Sequence, residues 1–153
     1  MKVGLTEALD VTAETPVVDT KRVGTATTLT QQELAETPQS RDPWAVLKTV
    51  PGVLVDRVNV AGNESGQQSG FVSKGSLASD TQWNLDGIVI TDVNSNGASS
   101  SYYDFDAFQE INVTTGGGDL KVQTGGIGIN FVTKRGTNQF QASVRGFLAN
   151  HEL

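Results

Sequence analysis

The sequence predicts a small α+β domain, rich in β-structure, with short helices and long polar loops. Three observations carry that expectation. The chain has 153 residues, of which 37% are hydrophobic, 18% are charged and 17 are glycine. Ordinary globular domains hold roughly 45–50% apolar residues on a count that includes glycine. A chain this polar yet this weakly charged suits turn-rich β-structure with wet surfaces, not dense helices or charge-driven disorder. Second, two apolar runs, Trp83-Asn84-Leu85 and Ile88-Val89-Ile90, flank Asp86-Gly87. Asp-Gly between such runs predicts a hairpin with a type I′ turn. Third, two helix starts lie close together, Thr30-x-x-Glu33 and Asp42-Pro43, and each is soon stopped by proline.

In chain order, residues 1–29 read as an extended arm. Val11, Val17, Val18 and Val23 are scattered among threonines, and Pro16 interrupts any ladder. Thr30 and Glu33 form a capping box for a short helix with Leu34 as its apolar contact, and Pro38 ends it. Asp42 caps the second helix, with Pro43 at its first position and Trp44, Val46 and Leu47 turned inward. Pro51-Gly52 closes it in a type II turn. Residues 53–60 and 71–77 read as strands around a polar loop. After the hairpin comes a low-complexity loop over 93–101, expected to be loosely held. Residues 102–108 have room for one helical turn. Residues 110–115 and 127–134 alternate as strands, separated by Gly116-Gly117-Gly118 and Gly125-Gly126. Beyond a turn at 135–138, residues 140–148 alternate again, either as an edge strand or as the opening strand of something larger.

Composition and spacing exclude most chemistry. The chain has no cysteine, which removes disulfides, thiolate metal sites and a cysteine nucleophile. Its one histidine is His151, near the end, so a Ser–His–Asp triad or a multi-histidine metal site would have to be built from a tail. Eleven Lys and Arg face 17 Asp and Glu, a net charge of −6, which opposes nucleic-acid binding through phosphate neutralisation. Gly70-Phe-Val-Ser-Lys-Gly75 has its lysine before the second glycine, unlike a phosphate loop. Gly125-Gly126-Ile127-Gly128 precedes a strand where a dinucleotide fingerprint would open a helix. Asp104 and Asp106 lack further carboxylates at calcium-loop spacing. No enzyme, metal or cofactor is expected.

Four segments, in order, resemble one family. Residues 45–53, Ala-Val-Leu-Lys-Thr-Val-Pro-Gly-Val, resemble the helix-to-turn segment of the plug domains of TonB-dependent outer-membrane receptors. Phe71-Val-Ser-Lys-Gly75 is similar to that family's next strand, which usually ends in Arg-Gly. Asn84-Leu-Asp-Gly-Ile-Val-Ile90 resembles its Leu-Asp-Gly hairpin. Phe108-Gln-Glu-Ile-Asn-Val113 and Ile129-Asn-Phe-Val-Thr-Lys-Arg-Gly136 resemble its closing strands. The chain is similar in flavour to the large-loop receptors that often carry an amino-terminal carboxypeptidase-regulatory-like domain, a domain not expected within these 153 residues. Lys74 departs from the family's arginine, replacing a two-pronged donor with a point charge. The family's Arg-Gly-Pro wording is also missing around residues 116–126.

The resemblance implies an α+β plug with a small mixed β-sheet, short helices and long polar loops, seated in a β-barrel of about 22 strands. It divides the chain into an arm over 1–28, a plug over 29–136 and the start of the first barrel strand over 137–153, so that the chain is expected to be part of a longer receptor. It implies an outer-membrane location in Gram-negative bacteria, with the amino terminus in the periplasm. The plug would gate the barrel, touch an extracellular ligand and signal to TonB for energised uptake. Leu9, Asp10, Val11, Thr12 and Ala13 are similar to the TonB box, which pairs with TonB's carboxy-terminal domain by strand addition. Ser76, Asp80, Asn94, Asn96, Tyr102 and Tyr103 fall where the family's outward loops lie. Lys74 and Arg135 are the candidate plug–barrel contacts, and Pro51, Gly52, Gly75, Asp86 and Gly87 the structural turns. The alternative is a secreted β-rich adhesin or carbohydrate-binding module, which shares the polarity and the glycines.

Overall fold

A computed structural model describes residues 24–37, 42–56, 68–95, 97–118 and 124–140, together with 122, 142 and 144. Among the described residues seven strands form two sheets. Strands β1 (Thr25–Thr30), β6 (Phe108–Gly116), β7 (Gly128–Thr133), β4 (Gln82–Leu85) and β5 (Ile88–Val89) lie side by side in that order. Strands β2 (Val53–Val55) and β3 (Phe71–Ser73) form a separate antiparallel pair. In the large sheet β4 and β7 are parallel and every other pair is antiparallel, so the sheet is mixed.

Local sequence explains each helix. Helix α1 (Gln31–Glu36) starts on a completed capping box: Glu33 N–H donates to Thr30 Oγ1 at 3.4 Å, and Thr30 N–H donates to Glu33 Oε2 at 2.7 Å. Helix α2 (Pro43–Val46) starts on Asp42, whose Oδ1 accepts from Trp44 N–H at 3.0 Å, and runs into a 3₁₀ turn at Leu47–Thr49. Helices this short are not stable alone. They are held by the side chains they bury: Leu34 from α1, Trp44 and Val46 from α2, and Leu47 from the 3₁₀ turn. Val53 N–H then donates to Val50 O across Pro51-Gly52, with Gly52 at φ 80°, the left-handed value that a type II turn requires.

Strand alternation gives the sheet two unlike faces. One is the core, where Trp83, Ile111, Val113, Ile129 and Phe131 are all 0% exposed. Register brings them together, Trp83 beside Ile129, Ile129 beside Val113, and Phe131 beside Ile111. Aromatic rings fill the space under the sheet. Trp83 meets Trp44 and Phe71, each at 5.9 Å between centroids, and Phe131 at 5.7 Å. Phe108 stacks on Phe131 at 4.5 Å. The opposite face is a row of small polar residues.

The largest departure from expectation is at the amino-terminal side. Residues 25–28, expected to end an arm, belong to β1, an edge strand of the large sheet paired with β6. They are extended, but they are paired. The strand expected over 71–77 stops at Ser73, because Lys74 (φ 50°) and Gly75 (φ 83°) turn the chain. The expected 53–60 strand is seen as Val53–Val55, and 57–60 lie outside the described residues. The helical turn expected within 102–108 is a 3₁₀ turn at Phe105–Ala107. The strand expected over 140–148 lies outside the described residues except for 140, 142 and 144.

Candidate functional site

The two polar stretches proposed as outward loops meet at one end of the large sheet. Ser76 follows the Lys74-Gly75 turn, and its Oγ accepts from Ser73 N–H at 3.3 Å. Asp80 closes a 3₁₀ turn at Ala78–Asp80, with its carboxylate accepting from Leu77 N–H at 3.2 Å and Ser79 Oγ at 3.4 Å. Gly97 (φ 81°) lies against this turn, and a Cβ there would collide with the Ala78 carbonyl. Trp83 Nε1 donates to Gly97 O at 2.8 Å from within the core.

The low-complexity loop is thus tied down where its composition suggested a loose one. Thr91 and Ser99 form a bridge. Asp92 N–H donates to Ala98 O at 2.9 Å, and Ser100 N–H to Ile90 O at 3.0 Å. The Gln68 amide clamps Ser99, donating to its carbonyl at 2.9 Å and accepting from its N–H at 2.7 Å. Asn94 N–H caps onto Asp92 Oδ1 at 2.8 Å. Asn96 lies outside the described residues.

The adjacent tyrosines have different surroundings. Tyr102 is 54% exposed and lies 5.2 Å from Trp44, offering one side of its ring to the outside. Tyr103 packs into the core shell against Phe108 at 6.0 Å and Phe131 at 5.9 Å.

The β4–β5 turn is fixed from a distance. Asp86 (φ 49°) and Gly87 (φ 83°) take the positive angles of a type I′ turn. Thr133 donates to the Asp86 carboxylate twice, from N–H at 3.0 Å and from Oγ1 at 2.7 Å. These bonds, the backbone one first, hold the Asp86 carboxyl below its ordinary range, and the Arg135 guanidinium adds to the effect. Gly87 N–H donates to Asn130 Oδ1 at 2.9 Å. Lys74 turns toward the domain's own sheet, with Nζ donating to Thr25 Oγ1 at 3.0 Å. Leu9, Asp10, Val11, Thr12 and Ala13 lie outside the described residues.

One surface went unnoticed in the sequence. Thr28, Asn112, Asn130 and Asn84 stand in register across β1, β6, β7 and β4, on the face opposite the core. Thr28 Oγ1 donates to Asn112 Oδ1 at 2.7 Å, and Asn112 Nδ2 donates to Glu110 Oε1 at 2.9 Å. This row floors an open groove of about 990 Å³ rimmed by glycines 116–118 and 125–126. Each residue sits in its strand's polar phase, but only the register shows that the four align. Among the described residues no three His, Cys, Asp or Glu side chains converge as a metal would need, and no helix is long and apolar enough to cross a membrane.

The described residues thus form a small mixed sheet with an aromatic core on one side, amides on the other and two loops joined at one end. The model of the TonB-dependent receptor plug domain matches residues 19–129, and the chain belongs to that family. Its fold is similar to one part of solved receptors and transporters. The siderophore receptor PirA from Acinetobacter baumannii is 22% identical, with a TM-score of 0.59 over 78% of this chain and 18% of its own. The outer membrane transporter YddB from Escherichia coli is 15% identical, with a TM-score of 0.58 over 72% of this chain and 17% of its own. The ferric enterobactin receptor PfeA from Pseudomonas aeruginosa, as a double mutant, is 24% identical, with a TM-score of 0.55 over 72% and 17%. The chain therefore spans under a fifth of the length of these receptors. No curated protein matches it by sequence.

Proposed function

We propose that this domain is the gate of an outer-membrane transporter. It fills the lumen of a barrel carried by the same receptor, meets an extracellular ligand with its joined loops, and is opened from the periplasm when TonB engages the amino-terminal arm. The observation that carries the proposal is the family match over residues 19–129. The polar sheet face supports it, since an amide row suits a wet, polar barrel wall better than a dry interface. The loop junction at Gly97 and Ala78 supports a common role for Ser76, Asp80 and Asn94, with Asn96 next to Gly97 in sequence and Tyr102 at the rim. Tyr103 serves that surface indirectly, by fixing the loop to Phe108 and Phe131. Arg135, beyond β7, is the better placed of the two candidate barrel contacts, because Lys74 is bonded within the domain. Two of the solved relatives are receptors for siderophores or ferric enterobactin, so a small iron-chelating molecule is the first ligand class to test.

The test is capture of the intact receptor on immobilised TonB carboxy-terminal domain, with and without residues 9–13. Ligand-dependent capture that disappears with the deletion is the expected result. Equal capture of both forms would remove the TonB-box assignment. No capture of either form, from a receptor that binds ligand, would remove the transporter proposal itself.

A further inference from the structure

The structure assigns Lys74 a second role: a latch that fastens the first strand of the sheet, at the point where the amino-terminal arm joins the fold, to the turn after β3. Strand β1 pairs with β6 through a register shift between Thr25 and Ala26, which leaves Thr115 outside the regular ladder. Its first residue, Thr25, pairs with Gly116 at this irregular point and is bonded there by side chains as well. Thr115 Oγ1 donates to the Thr25 carbonyl at 3.4 Å, and Lys74 Nζ donates to Thr25 Oγ1 at 3.0 Å.

The seam is shaped for this lysine. A Cβ on Gly116 would lie 2.8 Å from Lys74 Nζ, 3.3 Å from its Cδ and 3.6 Å from its Cε, so the stem lies across bare backbone. A Cβ on Gly24 would collide with the Gly117 carbonyl, which keeps the incoming chain close to the same place. Lys74 also sits at φ 50°, a left-handed conformation that glycine or asparagine takes more easily. The position thus carries a side chain that makes a contact glycine could not make, at the cost of a strained backbone.

The consequence is a coupling between the two sheets. The latch joins the β2–β3 pair to β1, the edge strand that follows the arm in sequence. Its functional use rests on the proposed engagement of the arm from the periplasm, but the latch itself does not require TonB and is tested without it.

Amide hydrogen exchange on the chain, read strand by strand, tests it with two variants. Lys74→Asn relieves the backbone and removes the stem. Gly116→Ala keeps the lysine and displaces it. With the latch present in the parent, both variants should speed exchange of the β1 amides roughly three- to fivefold, the range of an exposed charge-assisted contact, while amides at Trp83, Val113 and Ile129 keep their rates. Unchanged β1 exchange in Lys74→Asn would overturn the latch, as would acceleration spread evenly over all strands. A Thr25→Val variant closes the cycle: in its background Lys74→Asn should add nothing, and full additivity would also overturn the proposal.

Discussion

At the scale of single residues, adjacent side chains of the same type do opposite work. Tyr103 packs on Phe108 and Phe131, whereas Tyr102 lies on Trp44 with half its surface open. Replacing Tyr103 with alanine should cost about 1–3 kcal/mol in urea unfolding of the chain, as for other partly buried aromatic truncations. Replacing Tyr102 should cost less than about 1 kcal/mol, the worth of a single ring contact at a surface. Under the proposed function, ligand binding by the intact receptor should show the reverse order. Equal losses of stability would mean that Tyr102 is a core residue. Two carboxylates give a pH prediction. Glu33 is held below its ordinary range by hydrogen bonds from Thr30, the backbone one first, and Asp86 by those from Thr133. A carboxylate whose folded pKa is depressed stabilises the fold above its unfolded value and loses that contribution as pH falls through the folded one. Stability should therefore be flat from neutrality down to about pH 5 and decline below about pH 4. The Thr133 and Thr30 amide resonances should move with the two titrations. A midpoint for Asp86 above the ordinary aspartate range would contradict the geometry.

At the scale of elements, what the sequence revealed was whatever neighbouring residues decide. The β4–β5 hairpin was legible because Asp86-Gly87 is a pair that accepts two positive φ angles, and both α-helix starts were legible because their caps reach only two or three residues. Changing Thr30 to alanine should cost about 1 kcal/mol through loss of the capping box. Changing Gly87 to alanine should cost at least about 1 kcal/mol at φ 83°. Circular dichroism melts of the two variants check both values, and an unchanged Gly87→Ala melt would mean the turn readily changes type. Strand β1 was not legible, because it is an edge strand with Thr28 bonded to a partner 84 positions away. Its threonines carry no apolar alternation to announce it. The polar row was hidden for the same reason: Asn84, Asn112 and Asn130 lie on three strands, and their alignment exists only in the register. The candidate loops were placed by resemblance, but their junction depends on Gly97 meeting Ala78, which no local pattern encodes.

At the scale of the whole molecule, Trp83 connects the parts. Its ring lies among Trp44, Phe71 and Phe131, which come from α2, β3 and β7, while its N–H leaves the core to hold Gly97. Core packing and loop position are therefore one property of this domain, since the loop cannot loosen at Gly97 without disturbing the core. Substitution by phenylalanine separates the two contributions. The smaller ring keeps most of the apolar contact but leaves a void and an unpaired Gly97 carbonyl, which should cost about 1–3 kcal/mol in total. Hydrogen exchange should then show amides at Gly97, Ala98 and Ser100 opening more than those of β6 and β7, because the lost bond belongs to the loop and the void is shared by all. If the loop amides kept their protection relative to those strands, the loop would be held by its other bonds, those of Gln68, the Thr91–Ser99 bridge and the backbone bonds of Asp92 and Ser100. The coupling of loop to core through Trp83 would then fall.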